Sequence, residues 1–244
     1  MLNCTFVTGA TSGIGEGLAI SLSKSKRLIL CGRNPDKLKS VKGKCSNSED
    51  HYVFCMDLVK EKEILFAKTN EFLISNGITA DNFIHCAGIT TILPLRNFTP
   101  DYVNKIFDTN LFSSLEILRS LLKKDNKGSL NNIIFLSGLW SIRGDIGNSV
   151  YAASKGAVNS LVISLAQELA PKVRVNSIVP GAIITPMTEK RFADESFRKL
   201  AEKDYPLGVG TIDDVVSFIE FLLSDKARWI TGQNLVVDGG RSTK

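Results

Sequence analysis

The amino-acid sequence predicts an α/β fold: a single Rossmann-type, doubly wound domain with a parallel seven-stranded sheet and helices on both faces. Three observations predict it. Short apolar runs alternate with longer stretches of helical spacing from one end of the chain to the other. No linker, repeat or low-complexity segment breaks that alternation. At 244 residues, the chain suits one large domain spanning 1–244 better than two small ones.

The elements follow in order. Leu2–Val7 is a short apolar run that stops at Thr8-Gly9, and Ile14–Lys24 carries helical spacing. Arg27–Cys31 reads as a strand and Pro35–Lys42 as a helix; His51–Met56 and Lys60–Ser75 repeat the pair. Asn82–Cys86 is a strand, Asp101–Lys123 a long helix, Asn132–Ser137 a strand and Tyr151–Leu169 a helix. Val173–Val179, Ile212–Leu223 and Asn234–Val237 close the series as strand, helix and strand. Such βαβ units cross over right-handed, and their ligands bind beyond the carboxyl ends of the strands. Every motif discussed below falls at a strand end or at the start of the next helix.

Composition narrows the function. Hydrophobic residues make up 43% and charged residues 23%, values normal for a soluble globular protein with a real core. No apolar stretch approaches the roughly 20 residues that cross a bilayer, and the start of the chain lacks the pattern of a signal peptide. Five cysteines without a C-x-x-C pair predict free thiols in a reducing, cytoplasmic setting. Two histidines, His51 and His85, are too few for a metal centre, so no metal is expected. The net charge of +5 is dispersed, and groups such as Lys123-Lys124 read as solvated surface rather than a nucleic-acid stripe.

Directly after the first strand stands Thr8-Gly9-Ala10-Thr11-Ser12-Gly13-Ile14-Gly15. Gly9, Gly13 and Gly15 allow a tight turn, close approach of backbone to a pyrophosphate, and close packing of helix on sheet. The following helix offers unpaired N–H groups and a partial positive charge to phosphates. Packing alone is the competing explanation of so many glycines. In NAD-preferring folds an acidic side chain ends the second strand and accepts from the ribose 2′-hydroxyl. Here that strand ends Cys31-Gly32-Arg33-Asn34, with Gly32 in the acid's place. Arg33 is able to grip a 2′-phosphate by paired hydrogen bonds, and Ser12 offers a hydroxyl. NADP(H) is therefore preferred, with NAD(H) possible, the alternative for Arg33 being an exposed loop residue.

With these residues in view, the chain resembles the short-chain dehydrogenase/reductase family from Leu2 to Gly240. The resemblance rests on Thr8–Gly15, Met56-Asp57-Leu58, Cys86-Ala87-Gly88, Asp108-Thr109-Asn110-Leu111, the segment from Tyr151 to Lys155, Val179-Pro180-Gly181 and Asp238-Gly239-Gly240. It implies that Asp57 and Leu58 border the adenine, and that Cys86, Ala87 and Gly88 pass the adenosine ribose. Beyond Pro180 and Gly181, Ile183 and Thr185 would hold the nicotinamide carboxamide. It also implies a homodimer or homotetramer, with the strand between Thr231 and Gly240 packing between subunits.

Tyr151 and Lys155 stand four apart at a helix start and so share a face. A phenol ionises near 10, too high for ready proton exchange at neutral pH. The expectation is that the Lys155 ammonium lowers that value by roughly two to three units, worth about 3–4 kcal/mol. Tyr151 would then protonate a carbonyl oxygen as hydride arrives, or take the alcohol proton in reverse. By resemblance, Lys155 also binds the nicotinamide ribose and Asn110 holds a water behind the lysine.

The serine departs from the family's pattern. A carbonyl-polarising serine is usual thirteen residues before the tyrosine, where this chain has Gly138. Ser137 takes that role if the loop from Leu139 to Val150 carries one extra residue, and Ser141 is the second candidate. His85-Cys86 stands where the family commonly has two asparagines. His85 reads as a satisfied core histidine or a pH-sensitive neighbour of the cofactor, and Cys86 as a small buried hydrophobe.

The charged stretch 188–206 resembles the family's substrate lid. Leu139, Trp140, Ile142, Met187 and Phe192 line an apolar pocket or simply pack core and lid. The pattern is nearest to 3-oxoacyl-carrier-protein reductases and relatives acting on sugars, steroids or polyols, so a small-molecule carbonyl or alcohol, free or carrier-bound, is the implied substrate. Lys127 and Lys172 would meet an acidic carrier, or are plain surface. The rival reading is a catalytically weakened nucleotide sensor or assembly protein marked by Gly138.

Overall fold

A computed structural model describes residues 1–123 and 129–244. Lys124 and Lys127, two of the lysines considered above, lie outside the described residues. Seven strands form one sheet: β1 (Leu2–Thr8), β2 (Leu28–Gly32), β3 (Tyr52–Cys55), β4 (Ile78–His85), β5 (Asn132–Leu136), β6 (Arg174–Pro180) and β7 (Asn234–Val237). Their order is β3-β2-β1-β4-β5-β6-β7, with every neighbouring pair parallel. The order reverses between β1 and β4, which places a switch point beside the glycine turn after β1.

Alternation along each strand divides the core into two layers. Phe6, Ile29, Phe83, Ile133, Phe135 and Val175 face one side, which is covered by α3 (Lys62–Ser75), α5 (Ser113–Leu121) and α6 (Ser149–Leu169). Val7, Leu30, Ile84, Ile134, Leu136 and Ile178 face the other, which is covered by α1 (Gly13–Leu22), α2 (Pro35–Lys44) and α9 (Ile212–Leu223). The strands therefore read as near-continuous apolar runs because both faces are buried.

Two expected elements differ from those observed. β4 begins at Ile78 rather than Asn82, because Leu2, Cys4 and their neighbours pair with Ile78–Ala80 before a register shift at Cys4/Thr5. Polar residues at that shift hide the strand in the sequence. Asn82 Nδ2 donates to Asp81 Oδ1 (2.7 Å) and to Thr5 Oγ1 (3.0 Å), which satisfies them inside the sheet. The expected helix Asp101–Lys123 is interrupted: α4 (Pro100–Phe107) passes through a π-helical turn at Asp108–Phe112 into α5. Such π turns cluster at functional sites.

Between β6 and α9 lie α7 (Glu189–Phe192) and α8 (Glu195–Asp204), whose Phe192 and Ala201 pack with Tyr205 in a small separate apolar cluster. Leu139 is buried as well, whereas Ile142 and Met187 are exposed. Arg174, at the start of β6, ties α9 to the sheet: its guanidinium donates to the carbonyls of Leu222 (2.6 Å) and Ala227 (3.1 Å) at the helix end. Helix C-terminal carbonyls lack partners of their own. Arg174→Ala is expected to lower the unfolding free energy by about 2–4 kcal/mol in chemical denaturation, since it strands those acceptors.

Candidate active site

The glycine turn and the catalytic pair meet at the carboxyl edge of the sheet. Gly9 has φ +64°, a left-handed conformation that favours glycine, and a Cβ there would stand 2.8 Å from the amide nitrogen of Ala87. The turn after β1 therefore lies directly on the loop after β4. A Cβ at Gly15 would overlap the carbonyl oxygen of Gly9, so only glycine lets α1 start so close to the strand. Ser12 caps α1 without a side-chain hydrogen bond, which leaves the first-turn N–H groups to an anion. Gly13 abuts Thr185, whose Cβ would be 3.3 Å from a Cβ built on the glycine. These cradles fit a dinucleotide pyrophosphate.

At the end of β2, a Cβ on Gly32 would sit 2.8 Å from Thr11 Cγ2, so no acidic side chain fits at that position without displacing Thr11. Arg33 is exposed beside it. Asp57, at the end of β3, accepts from the amides of Val59 and Lys60, each 3.1 Å away. Burial opposes its ionisation, but these amides and the Arg33 charge outweigh it and hold the carboxyl below its ordinary value. Leu58 is buried in the core.

His85 is a fully buried link. One ring nitrogen, Nε2, lies 3.2 Å from the Thr109 carbonyl, and Nδ1 lies 3.0 Å from Thr8 Oγ1, which accepts in turn from the amide of Ala87 (3.1 Å). Burial first, then the Lys155 charge, pushes its pKa down to about 3, so the ring is neutral. It donates from Nε2 and accepts at Nδ1. Cys86 is half-buried rather than fully buried, and its thiol is pushed up to about 12 by desolvation. Among the described residues all five cysteines are free, and no group of side chains is arranged to hold a metal ion.

Asn110 sits on the π turn. Its Oδ1 accepts from the amide of Ile89 (2.8 Å), and its Nδ2 donates to the Ile89 carbonyl (3.1 Å) and to Ser154 Oγ (3.0 Å). A Cβ on Gly88 would lie 3.4 Å from both Asn110 Oδ1 and Lys155 Nζ. The lysine tip and the asparagine thus both pack against the backbone of Gly88. Lys155 is 3% exposed, and its Nζ donates to the Leu136 carbonyl at the end of β5 (2.6 Å).

The electrostatics differ from the sequence expectation. Burial pushes the Tyr151 phenol up to about 12 rather than down, and it pushes Lys155 down to about 8. The lysine nitrogen is 6.0 Å from the centre of the tyrosine ring and is engaged with Leu136, so in the free protein desolvation governs the phenol.

Ser137 continues the alternation of β5 onto the face covered by α6. Its hydroxyl is shared between Ser141 Oγ (3.2 Å) and the Lys155 carbonyl (3.3 Å), away from Tyr151. Ser141 in turn accepts from Asn159 Nδ2 (2.8 Å). The position that meets the phenol is Gly138, where a Cβ would lie 2.6 Å from Tyr151 Oη.

The loop after Pro180-Gly181 is anchored by residues the sequence reading missed. Tyr205 Oη accepts from the amide of Ala182 (3.0 Å), and Thr188 Oγ1 donates to the Ile183 carbonyl (2.6 Å) while accepting from the amide of Thr185 (3.0 Å). Ile183 is buried. Ser154 was within sight, lying inside the segment from Tyr151 to Lys155; Tyr205 carried no local signal, since its partner is 23 residues away.

Comparison with known proteins agrees with this geometry. Residues 9–242 match the model of a family described as "Enoyl-(Acyl carrier protein) reductase". The chain is 33% identical over 242 residues to the 3-oxoacyl-[acyl-carrier-protein] reductase FabG of Rickettsia prowazekii, covering 97% of this chain and 95% of that one. Among solved structures it is similar to 4-hydroxyisoleucine dehydrogenase complexed with NADH, with TM-score 0.91, 29% identity and full coverage of both chains. It is also similar to ElxO with NADP bound, with TM-score 0.88, 26% identity and full coverage of both chains. Seven parallel strands, the glycine cradle and the Tyr151/Lys155 pair thus have one common explanation: the chain belongs to the short-chain dehydrogenase/reductase family, oxidoreductases acting on alcohol and carbonyl groups.

Proposed function

We propose that this oxidoreductase prefers NADP(H) and reduces a small-molecule or carrier-bound carbonyl, with Tyr151 as proton donor and Lys155 and Asn110 as its support. The observation that carries the reading is that Lys155 Nζ and Asn110 Oδ1 both pack against the backbone of Gly88, each 3.4 Å from the point a Cβ would occupy, beside the turn that fits a dinucleotide. The bound dinucleotide supplies the hydride. Gly9, Thr11, Ser12, Gly13, Ile14 and Gly15 hold its phosphates, Asp57 and Leu58 border the adenine, and Pro180, Gly181, Ile183 and Thr185 border the nicotinamide. Cys86, Ala87 and Gly88 flank the adenosine ribose.

The preference for a 2′-phosphate rests on two features of β2. Thr11 excludes an acid at Gly32, and Arg33 stands exposed beside it. Relatives include a 3-oxoacyl-carrier-protein reductase, which supports a carbonyl carried on a thioester. We also propose that 188–206 acts as a lid, that the chain works in the cytoplasm, and that it assembles as a homodimer or homotetramer. Among the described residues no helix is long and apolar enough to cross a membrane.

Three outcomes test the reading. Tyr151→Phe is expected to slow NADPH consumption by about 100- to 10,000-fold, with fluorescence titration showing unchanged NADPH affinity. Equal turnover by this variant would remove Tyr151 from the chemistry. Arg33→Ala is expected to weaken NADPH binding about 10- to 100-fold while leaving NADH binding within a factor of two, the loss expected for charge-assisted hydrogen bonds. A wild-type enzyme that favours NADH would overturn that role.

Lys155 gives a pH-dependent outcome. Its folded pKa is depressed from 10.5 to about 8 by burial, so the folded state disfavours the charge. The penalty is complete below pH 8, where both folded and unfolded lysine are protonated, and it fades as pH rises toward 10.5. Lys155→Met is therefore expected to abolish turnover yet raise the unfolding free energy at pH 7 by about 1–3 kcal/mol. Denaturation at pH 7 and pH 9.5 should show the gain shrinking as pH rises.

A further inference from the structure

Gly138 is not glycine for conformational reasons. Its φ of −179° is extended backbone that any residue adopts. What a side chain would meet there is the phenol: an added Cβ lies 2.6 Å from Tyr151 Oη, 3.4 Å from Cζ and 3.6 Å from Cε1. The tip of the tyrosine fills the space that a side chain at 138 would need. Among the described residues Tyr151 Oη has no hydrogen-bond partner; Ser137 Oγ donates toward Ser141 Oγ and the Lys155 carbonyl, and Ser141 Oγ accepts from Asn159 Nδ2.

We propose that Gly138 is a specificity-determining residue that confines the enzyme to carbonyls already made electron-poor by a neighbouring acceptor group, such as vicinal dicarbonyl compounds. This rests on the carbonyl-reductase reading above. In the step, the carbonyl carbon gains a hydride and its electron pair from a reduced nicotinamide dinucleotide, which is thereby oxidised. The π pair of the C=O bond passes to oxygen, and that oxygen takes the proton of Tyr151, which is later replaced from solvent. As charge grows on the oxygen, its proton comes from Tyr151, and position 138 beside that phenol supplies no side-chain donor. A second positioned donor is worth about 100- to 1,000-fold in kcat. Without it, the substrate must stabilise the developing alkoxide through its own electron-withdrawing neighbour.

The test compares butane-2,3-dione with butan-2-one, matched in size, using the wild-type protein, Gly138→Ser and Gly138→Ala with NADPH. The serine adds both bulk and a donor, the alanine bulk alone. The kcat ratio of dione to ketone is expected to fall at least about tenfold in Gly138→Ser and to stay near the wild-type ratio in Gly138→Ala, the change lying in kcat rather than KM. A second readout needs no turnover. In the 295 nm difference titration against the matching Tyr151→Phe proteins, the phenol should ionise at lower pH in Gly138→Ser than in Gly138→Ala.

An unchanged ratio in Gly138→Ser, or the same change in both variants, overturns the inference while leaving the reductase reading standing. Failure of wild type to reduce any carbonyl with either dinucleotide overturns both. If the serine variant does not fold, ring-substituted acetophenones on wild type decide: kcat should climb about tenfold or more from 4-methoxy to 4-nitro, and a flat series refutes the proposal.

Discussion

The Lys155 ammonium is held at the end of β5 by a 2.6 Å hydrogen bond to the Leu136 carbonyl, in surroundings that leave it 3% exposed. Taking a charge out of water is costly, and the Leu136 carbonyl offsets part of that cost. Asn110 Oδ1 and the lysine tip both pack against the backbone of Gly88, and α6 fixes the stem. Each neighbour is itself pinned. Asn110 is locked to both backbone groups of Ile89, and the π turn that presents it is tied through His85 to Thr8 and the loop of Ala87. Loosening one of these would move the lysine, and with it the tyrosine one helical turn away.

The second constraint is the close approach of backbones at the strand ends. Parallel pairing of β1 with β4, and of β4 with β5, brings the loops after those strands to one edge. Three of them touch where glycine alone fits or where a threonine covers it: Gly9 on Ala87, Gly15 on Gly9, Gly13 on Thr185. A site assembled this way is rigid without being tightly hydrogen-bonded. The first-turn amides of α1 then remain free to meet an anion, which is the property a phosphate cradle needs.

Much of this was legible in the chain. Alternating apolar runs specify seven parallel strands because burial on both faces leaves a signal that no surface face dilutes. The glycine turn and the segment from Tyr151 to Lys155 were readable because local spacing sets their geometry. The early start of β4 was hidden, because Asp81 and Asn82 find partners on strands far away in sequence, Thr5 on β1 and, for Asn82, Asn132 on β5. The π turn was hidden for a related reason: Asp108–Phe112 reads as ordinary helix, and what stabilises the extra residue is Asn110 bridging to Ile89. Ser137 shows the limit most clearly. Counting along a loop left two serines open, and only the alternation of β5 decides that its hydroxyl turns toward α6.

The direction of the two pKa displacements bears on the chemistry. Had the lysine lowered the phenol toward neutrality, the free protein would hold a ready base for alcohol oxidation. Instead burial dominates both groups, so that at neutral pH Tyr151 keeps its proton and Lys155 keeps its charge. A phenol that holds its proton across the neutral range is set to give it up only when negative charge appears on an oxygen beside it. That condition is met by a carbonyl receiving hydride. The backbone of Gly138 lies against the hydroxyl and brings no side-chain donor beside it, so in the proposed reaction the demand for acidity falls on the phenol and the substrate together.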